Sequence, residues 1–289
     1  MKQRAGQEYG ERTPPELNFD SMKVILKEYR DKLPKFAIRG SLKYNKELED
    51  IDRVLKLIET KKFKINGKFE IEKTLGREGK SNKKMCWESV HSIGSEIEAN
   101  AGKQGWATCV LQEVIIKNIA QEQGLLISDK EKKRWGKVRD EGTEAKVYND
   151  PDDKTKVIKT IIYLGQSESL PKFFERTTGF NALFPETKYD IVGFIEKKIA
   201  KTAYGRNKML QPVLKQPFVS GKTLMKLPNP EGEFEKFLQQ FQDLGYDVDF
   251  EMETITKDSY EASDLNWRNV IKFENQYYVI DAWVEKSIK

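Results

Sequence analysis

The chain has 289 residues, 38% of them hydrophobic and 34% charged, with a net charge of +5 at neutral pH. That length allows one large domain or two modest ones, each with a buried core, and 15 Phe, 11 Tyr and 5 Trp exclude wholesale disorder. Two cysteines and one histidine exclude a disulfide framework and a His-rich zinc site, and no apolar run approaches the roughly 18 residues of a membrane span.

Residues 1–19 are polar, with a Pro-Pro pair and no apolar segment, and read as a disordered N-terminus rather than a signal peptide. A cytoplasmic protein with no membrane partner is expected. "SMKVILKEYRDKL" (21–33) places Met22, Ile25, Leu26 and Tyr29 on one helix face. "NKELEDIDRVLKLIETKKF" (45–63) repeats the pattern with Leu48, Ile51, Leu55 and Ile58. "FKINGKFEIEK" (63–73) alternates instead and predicts a bulged hairpin around Asn66-Gly67 that pairs Ile65 with Phe69. Two helices follow, over 85–102 and 106–124, each stopped by a glycine.

"LGREGKSN" (75–82) has the look of a phosphate-cradling P-loop, but Thr74 stands where the first glycine belongs. A plain loop suits it better, with Lys80 and Ser81 as the residues that test it. His91, Cys86, Cys109 and Trp106 read as packing residues. Residues 1–140 carry 30 Lys and Arg against 22 Asp and Glu, and the remainder 21 against 24. A basic N-terminal half suits an acidic or nucleic-acid partner; lysines scattered among acids also suit a plain solvated surface.

"SDKEKKRWGKVRD" (128–140) is a charged connector, and beyond it the texture turns strand-like. Strands are predicted over 144–150, 154–164, 189–204 and 207–219, with a helix over 167–184 between the second and third. Another helix covers 232–245, and a loop leads to a hairpin, "NVIKF" and "YYVIDAW".

That hairpin raises the chemical question. In "DLNWRNVIKFENQYYVIDAW", Asp264 precedes Asn269 by five residues, and Asp281 follows twelve later. Antiparallel pairing brings Asn269 and Asp281 to one end of the ladder, and Asp264 can curl back to the same end. Two oxygen donors and a nearby carboxylate suit Mg²⁺, which takes few protein ligands and keeps water and phosphate. Taken singly, the same residues also suit turns, caps and strand ends.

This spacing resembles the catalytic and metal loops of the protein-kinase-like superfamily. Upstream pieces fall in the family's order: Gly142 in a turn before a strand, Val147 on that strand, Lys159 in "KVIK", Glu175 on a helix, and "LQPVLKQPFVSG" (210–221) where the hinge belongs. The resemblance implies ATP and Mg²⁺. Asp264 would be the base, and Lys159 the phosphate contact held by Glu175. Asn269 and Asp281 would be Mg²⁺ ligands, Gly142 and Val147 would cover the nucleotide, and main chain from Leu214 to Gln216 would bond adenine. "ETKYDIVGF" and "VLKQPFVSG" look similar to the kinase domain found in polyvalent proteins of phage and conjugative elements.

Departures accompany it. Ala262-Ser263 replaces His-Arg before Asp264, "DAW" replaces Asp-Phe-Gly, and eight residues follow Asp281, which reads as the lack of an activation loop and a large helical lobe.

The expected fold is α+β, with a disordered 1–19, a mainly helical domain with a β-hairpin over 20–137, and a small two-lobed kinase-like domain over 138–289, divided at 215/216. The expected activity is Mg·ATP-dependent phosphoryl transfer to a hydroxyl of a protein or small molecule. The alternatives are a nucleotide-binding pseudokinase scaffold and a nucleic-acid module acting through the basic half.

Overall fold

A computed structural model describes residues 19–32, 42–60, 68–75, 81–102, 105–142, 145–161, 169–198 and 208–287. Among these residues the fold is α+β, seven α-helices with small antiparallel sheets. No helix is long and apolar enough to cross a membrane.

The N-terminal region is helical, as the periodicity predicts. α1 (Asp20–Lys32) buries Met22, Leu26 and Tyr29, and α2 (Leu42–Glu59) buries Ile51, Leu55 and Ile58. α3 (Trp87–Ala101) and α4 (Trp106–Glu122) follow. α4 starts at Gly105, whose φ of 109° favours glycine and whose missing side chain cannot cap the helix. Asp50 of α2 does so instead, accepting the Thr108 N–H at 3.1 Å and the Thr108 hydroxyl at 2.5 Å. Trp106 is buried against Tyr29, ring centroids 4.3 Å apart, as a core residue should be.

The hairpin differs from expectation. β1 (Ile71–Leu75) pairs with β2 (Ser81–Met85), so the strands lie beyond the Asn66-Gly67 turn; residues 61–67 lie outside the described residues. Phe69, expected in a strand, enters the core between the rings of Phe174 and Phe194, and Gln123 accepts its N–H. The same pairing settles the P-loop resemblance. Ser81 opens a strand, whereas a phosphate-binding loop must open a helix whose N-terminus faces the anion. Lys80 lies outside the described residues.

The charged connector is more ordered than its composition suggests. It holds α5 (Asp129–Lys133), started by a reciprocal cap between Ser128 and Glu131, and β3 (Val138–Glu141). β3 edges a five-stranded antiparallel sheet, with β4 (Ala145–Asn149), β5 (Lys156–Ile161), β6 (Asp190–Lys198) and β7 (Lys208–Pro217) in the order β3-β4-β5-β7-β6. Trp135, Tyr148, Ile158, Ile195 and Val213 cluster together. The row Val147, Lys159, Leu214 and Ile191 crosses four strands in register, so these side chains share the opposite face.

α6 (Leu170–Leu183) lies between β5 and β6 in sequence, capped by Ser169, whose hydroxyl accepts the Lys172 N–H. Its Gly179 faces the last sheet: a Cβ there would meet the Tyr260 ring and Val284 Cγ1 at 2.6 Å. α4 is also tied to the five-stranded sheet. Glu113 accepts the Leu210 N–H at 2.7 Å, Lys117 pairs with Glu196, and residues 125–127 add a bridge along β6 at Phe194. A single apolar cluster therefore runs from Met22 through α4 and α6 to Val284.

The loop expected between the last helix and the terminal hairpin contains strands. After β8 (Lys222–Thr223) and α7 (Pro230–Asp243) come β9 (Asp247–Asp249), β10 (Thr254–Lys257) and β11 (Tyr260–Ser263). The predicted hairpin follows as β12 (Val270–Phe273) and β13 (Gln276–Val279), then β14 (Trp283–Lys286). Two small sheets result, β14-β11-β10-β9 and β13-β12-β8.

Glu233 of α7 holds the β12–β13 hairpin. Its carboxylate takes the Tyr277 hydroxyl at 2.8 Å, the Lys236 ammonium at 2.8 Å and the Lys272 ammonium. Hydrogen bonds from Lys236 first, then Lys272 and Tyr277, pull it down to about 2 from an ordinary 4.5. Because the folded value is the lower one, its stabilisation is complete above about 4.5 and fades as pH falls to about 2. Glu233→Gln is expected to lower the urea midpoint at pH 7, with the gap to wild type closing between those two pH values; parallel curves would contradict this. Gly179→Ala is expected to cost about 1–3 kcal/mol in the same assay through overpacking, and an unchanged midpoint would show that α6 does not press on β11 and β14.

Candidate active site

Two ladders converge on one end of the terminal sheets. β11 pairs with β14 so that Ser263 faces Trp283, which sets Asp264, one residue beyond β11, near Ala282 and Asp281, just ahead of β14. In the neighbouring hairpin Val270 faces Val279, and the Ile280 N–H donates to the Asn269 carbonyl at 2.8 Å. Asp264, Asn269 and Asp281 thus meet where the spacing predicts. The loop between the first two is closed internally. Asn269 Nδ2 donates to the Asp264 carbonyl at 3.1 Å, Asn266 Nδ2 to Asp264 Oδ1 at 3.1 Å, and the Asn269 N–H to the Asn266 carbonyl at 2.9 Å. Asp264 has a φ of 56°, a left-handed conformation that Asp and Asn tolerate better than other side chains.

Lys159 reaches this point from the five-stranded sheet. Its Nζ donates to the Ile280 carbonyl at 2.7 Å, one residue before Asp281, and lies 3.4 Å from the Tyr189 hydroxyl. The side chain is 6% exposed. Burial pushes its pKa down, and the nearby charges of Asp281 and Asp140 oppose that push. Ile280 therefore links Lys159, through its carbonyl, with Asn269, through its N–H, at the strand end that carries Asp281.

The Ile280 carbonyl is the joint. Besides Lys159 it accepts the Tyr189 hydroxyl at 2.9 Å and Gln216 Nε2 at 3.2 Å, and Gln216 Nε2 also donates to the Thr187 carbonyl at 2.7 Å. Next to it, the Val279 carbonyl accepts the Thr187 hydroxyl. Four side chains from the five-stranded sheet and the turn before β6 therefore hold the strand end that carries Asp281.

The remaining expectations divide. Val147 lies directly opposite Lys159 across β4 and β5, on the same face of the sheet. Gly142 is at the β3–β4 turn, its N–H bonded to the Ala145 carbonyl at 2.9 Å, and a Cβ there would find only that carbonyl, at 3.9 Å. Leu214 and Gln216 correct the hinge. Both sit inside β7: Leu214 is enclosed between the β5 and β6 ladders, and Gln216 lies opposite Val157 of β5, one residue past the last pair with β6. Pro217 has no N–H, and the Phe218 N–H still donates to the Thr155 carbonyl at 2.8 Å, so the main chain leaves the sheet from the Phe218 carbonyl onward, within 218–220. Gln216 enters the site through its side chain instead.

Glu175 is not brought to Lys159. Its carboxylate pairs with Lys286 at 2.8 Å, on the side of α6 that faces His91, Ser95 and Glu98 of α3. The residue beside Lys159 that the sequence reading missed is Tyr189. It is buried, with its phenol pushed well above the ordinary range by burial and by the charge of Asp281. A tyrosine opening a strand carries no signal for such a role; the missing clue is the Lys-Tyr juxtaposition, which needs the fold.

For a metal, the donor set is an amide oxygen and a carboxylate at adjacent strand ends, and both are hard ligands. The Asn269 Nδ2 bond to the loop leaves its Oδ1 for a cation. Among the described residues no group of three or more His, Cys, Asp or Glu forms a cage, so such an ion would need further oxygens from water or substrate, as Mg²⁺ on a phosphate chain has.

No curated protein matches the sequence. The family model for the serine/threonine/tyrosine kinase found in polyvalent proteins matches residues 111–286, which is more than half of the chain. The match begins inside α4, the helix that Glu113 and Lys117 fasten to the five-stranded sheet, and it contains both Lys159 and the terminal loops. The chain belongs to this family of kinases found in polyvalent proteins.

Proposed function

We propose that the protein transfers the γ-phosphoryl group of Mg·ATP to a hydroxyl of a protein or small molecule. The observation that supports this reading is that Ile280, next to Asp281, accepts Lys159 at its carbonyl and donates its N–H to Asn269, which in turn bonds Asp264. Val147 would cover the base, and main chain at 218–220 would pair with its edge. Lys159 would exchange its hold on Ile280 for oxygens of the α- and β-phosphates. Asn269 and Asp281 would hold Mg²⁺, which supplies neutralisation of phosphate charge when bound. Asp264, exposed at the mouth, would orient the acceptor hydroxyl and take its proton as the new P–O bond forms and the bond to the β-phosphate oxygen breaks. The protein's contribution is positioning and fixed charge rather than covalent chemistry.

A nucleotide-binding scaffold without transfer is the second reading. It is favoured by the absence of a helix carboxylate from Lys159. ATP should stabilise the fold on either reading, because a phosphate chain supplies the counter-charge that the buried ammonium lacks.

On the transfer reading, Lys159→Met and Asp281→Asn each reduce phosphate transfer by a factor on the order of 10³ or more while the melting temperature without nucleotide falls little. Asp264→Asn is the matching variant for the base, since Asn accepts the left-handed backbone without added strain. Wild-type transfer in either of the first two variants rules the assignment out. Nucleotide-dependent stabilisation with no transfer in wild type selects the scaffold.

A further inference from the structure

We propose that Tyr189 is the positioning residue for Lys159 and the metal loop, occupying the place the resemblance gave to the carboxylate of Glu175. The inference rests on the phosphotransfer reading for its consequence in catalysis, but not for its geometry.

Three observations carry it. First, α6 offers Lys159 no carboxylate: Glu175 is held at the far side of the helix by Lys286. Second, Tyr189 meets Lys159 in two ways. Its hydroxyl lies 3.4 Å from Nζ, and Nζ lies 5.2 Å from the ring centroid, within cation–π range. The same hydroxyl donates to the Ile280 carbonyl at 2.9 Å. One O–H donated to Ile280 and one lone pair turned to the ammonium use the hydroxyl in both directions. Third, Tyr189 is itself fixed by α6. Asn181 Oδ1 accepts the Tyr189 N–H at 2.7 Å, and Asn181 Nδ2 donates to the Tyr189 carbonyl at 2.9 Å. Phe180 stacks on its ring at 4.4 Å.

The chain of contact from helix to lysine therefore runs α6, Asn181, Tyr189, Lys159, and from Tyr189 also to Ile280 and so to Asp281. A helix carboxylate would hold the lysine by charge. Here the helix holds it through a neutral hydroxyl and a ring, and the charges acting around Lys159 and Tyr189 are Asp281, Asp140 on β3 and Arg176 on α6. The arrangement leaves the ammonium without a dedicated counter-ion until a phosphate arrives, while its direction is already set.

The test is Tyr189→Phe in the full chain, which keeps the ring and removes the hydroxyl. The melting temperature should stay near wild type. Exchange of the Lys159 ammonium protons with water, followed by nitrogen-15 NMR at one fixed pH and assigned with Lys159→Met, should accelerate about three- to tenfold, the worth of one hydrogen bond. It should stay unchanged in Glu175→Ala. The kcat/KM for Mg·ATP should fall by a similar factor. Asn181→Ala, which leaves the hydroxyl in place but frees its backbone, should move both readouts the same way. Unchanged ammonium exchange in Tyr189→Phe overturns the proposal, as do wild-type kcat and KM in a variant of an active enzyme. Accelerated exchange in a chain whose wild type turns over no ATP upholds the pairing and removes the phosphotransfer reading instead.

Discussion

The site depends on one main-chain carbonyl. Ile280 O accepts Lys159 Nζ, the Tyr189 hydroxyl and Gln216 Nε2, all within 3.2 Å. A carbonyl has two lone pairs, so three donors crowd it, and the one that carries charge forms the shortest bond. Those three bonds join residues more than sixty positions apart in the chain. Beside them, the Thr187 hydroxyl on the Val279 carbonyl also fastens this strand end.

The same interaction explains why the site suits an anion. Taking an ammonium out of water costs several kcal/mol, and hydrogen bonds to a carbonyl and a hydroxyl return part of that. Asp281 and Asp140 add attraction without a direct bond to Lys159, and burial remains the larger influence on its proton affinity. A phosphate chain laid against Nζ completes the compensation. The structural region N-terminal to the kinase sheet contributes to this rigidity. α3 packs on α6, with Gly94 facing Phe174 and Pro171, and α4 grips the β6 and β7 edge. α6 is thus pressed between α3 and the β11–β14 sheet, which fixes the helix that fixes Tyr189.

Much of this was legible in the sequence. The 3.6-residue spacing of Met22, Leu26 and Tyr29 named a buried helix face correctly, and the apolar run "YYVI" named a strand, which ends at Val279 rather than at Asp281. The convergence of Asn269 and Asp281 follows from antiparallel pairing alone. Lys159 stands twelve positions after Val147, a distance that fits adjacent strands, and the two are paired. What stayed hidden has physical reasons. β9, β10 and β11 are three or four residues long, too short for an apolar alternation to mark them, although they set the β11–β14 ladder that delivers Asp264. β3 lies in a charged stretch as an exposed edge strand. Glu175 was chosen by residue type on the right helix, but the face it occupies depends on packing against α3 and β14 that periodicity could not rank. Tyr189 and Gln216 act through the main chain of a distant residue, a contact that leaves no pattern in a single sequence.

The most direct measurement is a crystal structure of the full chain with a non-hydrolysable ATP analogue and Mn²⁺ in place of Mg²⁺, read by the anomalous signal of the metal. The predicted result is a metal peak within bonding distance of Asn269 Oδ1 and the Asp281 carboxylate, with Lys159 Nζ on a phosphate oxygen and the adenine edge against main chain at 218–220. A nucleotide bound elsewhere, or a metal held by neither residue while Lys159 stays on Ile280, would contradict it.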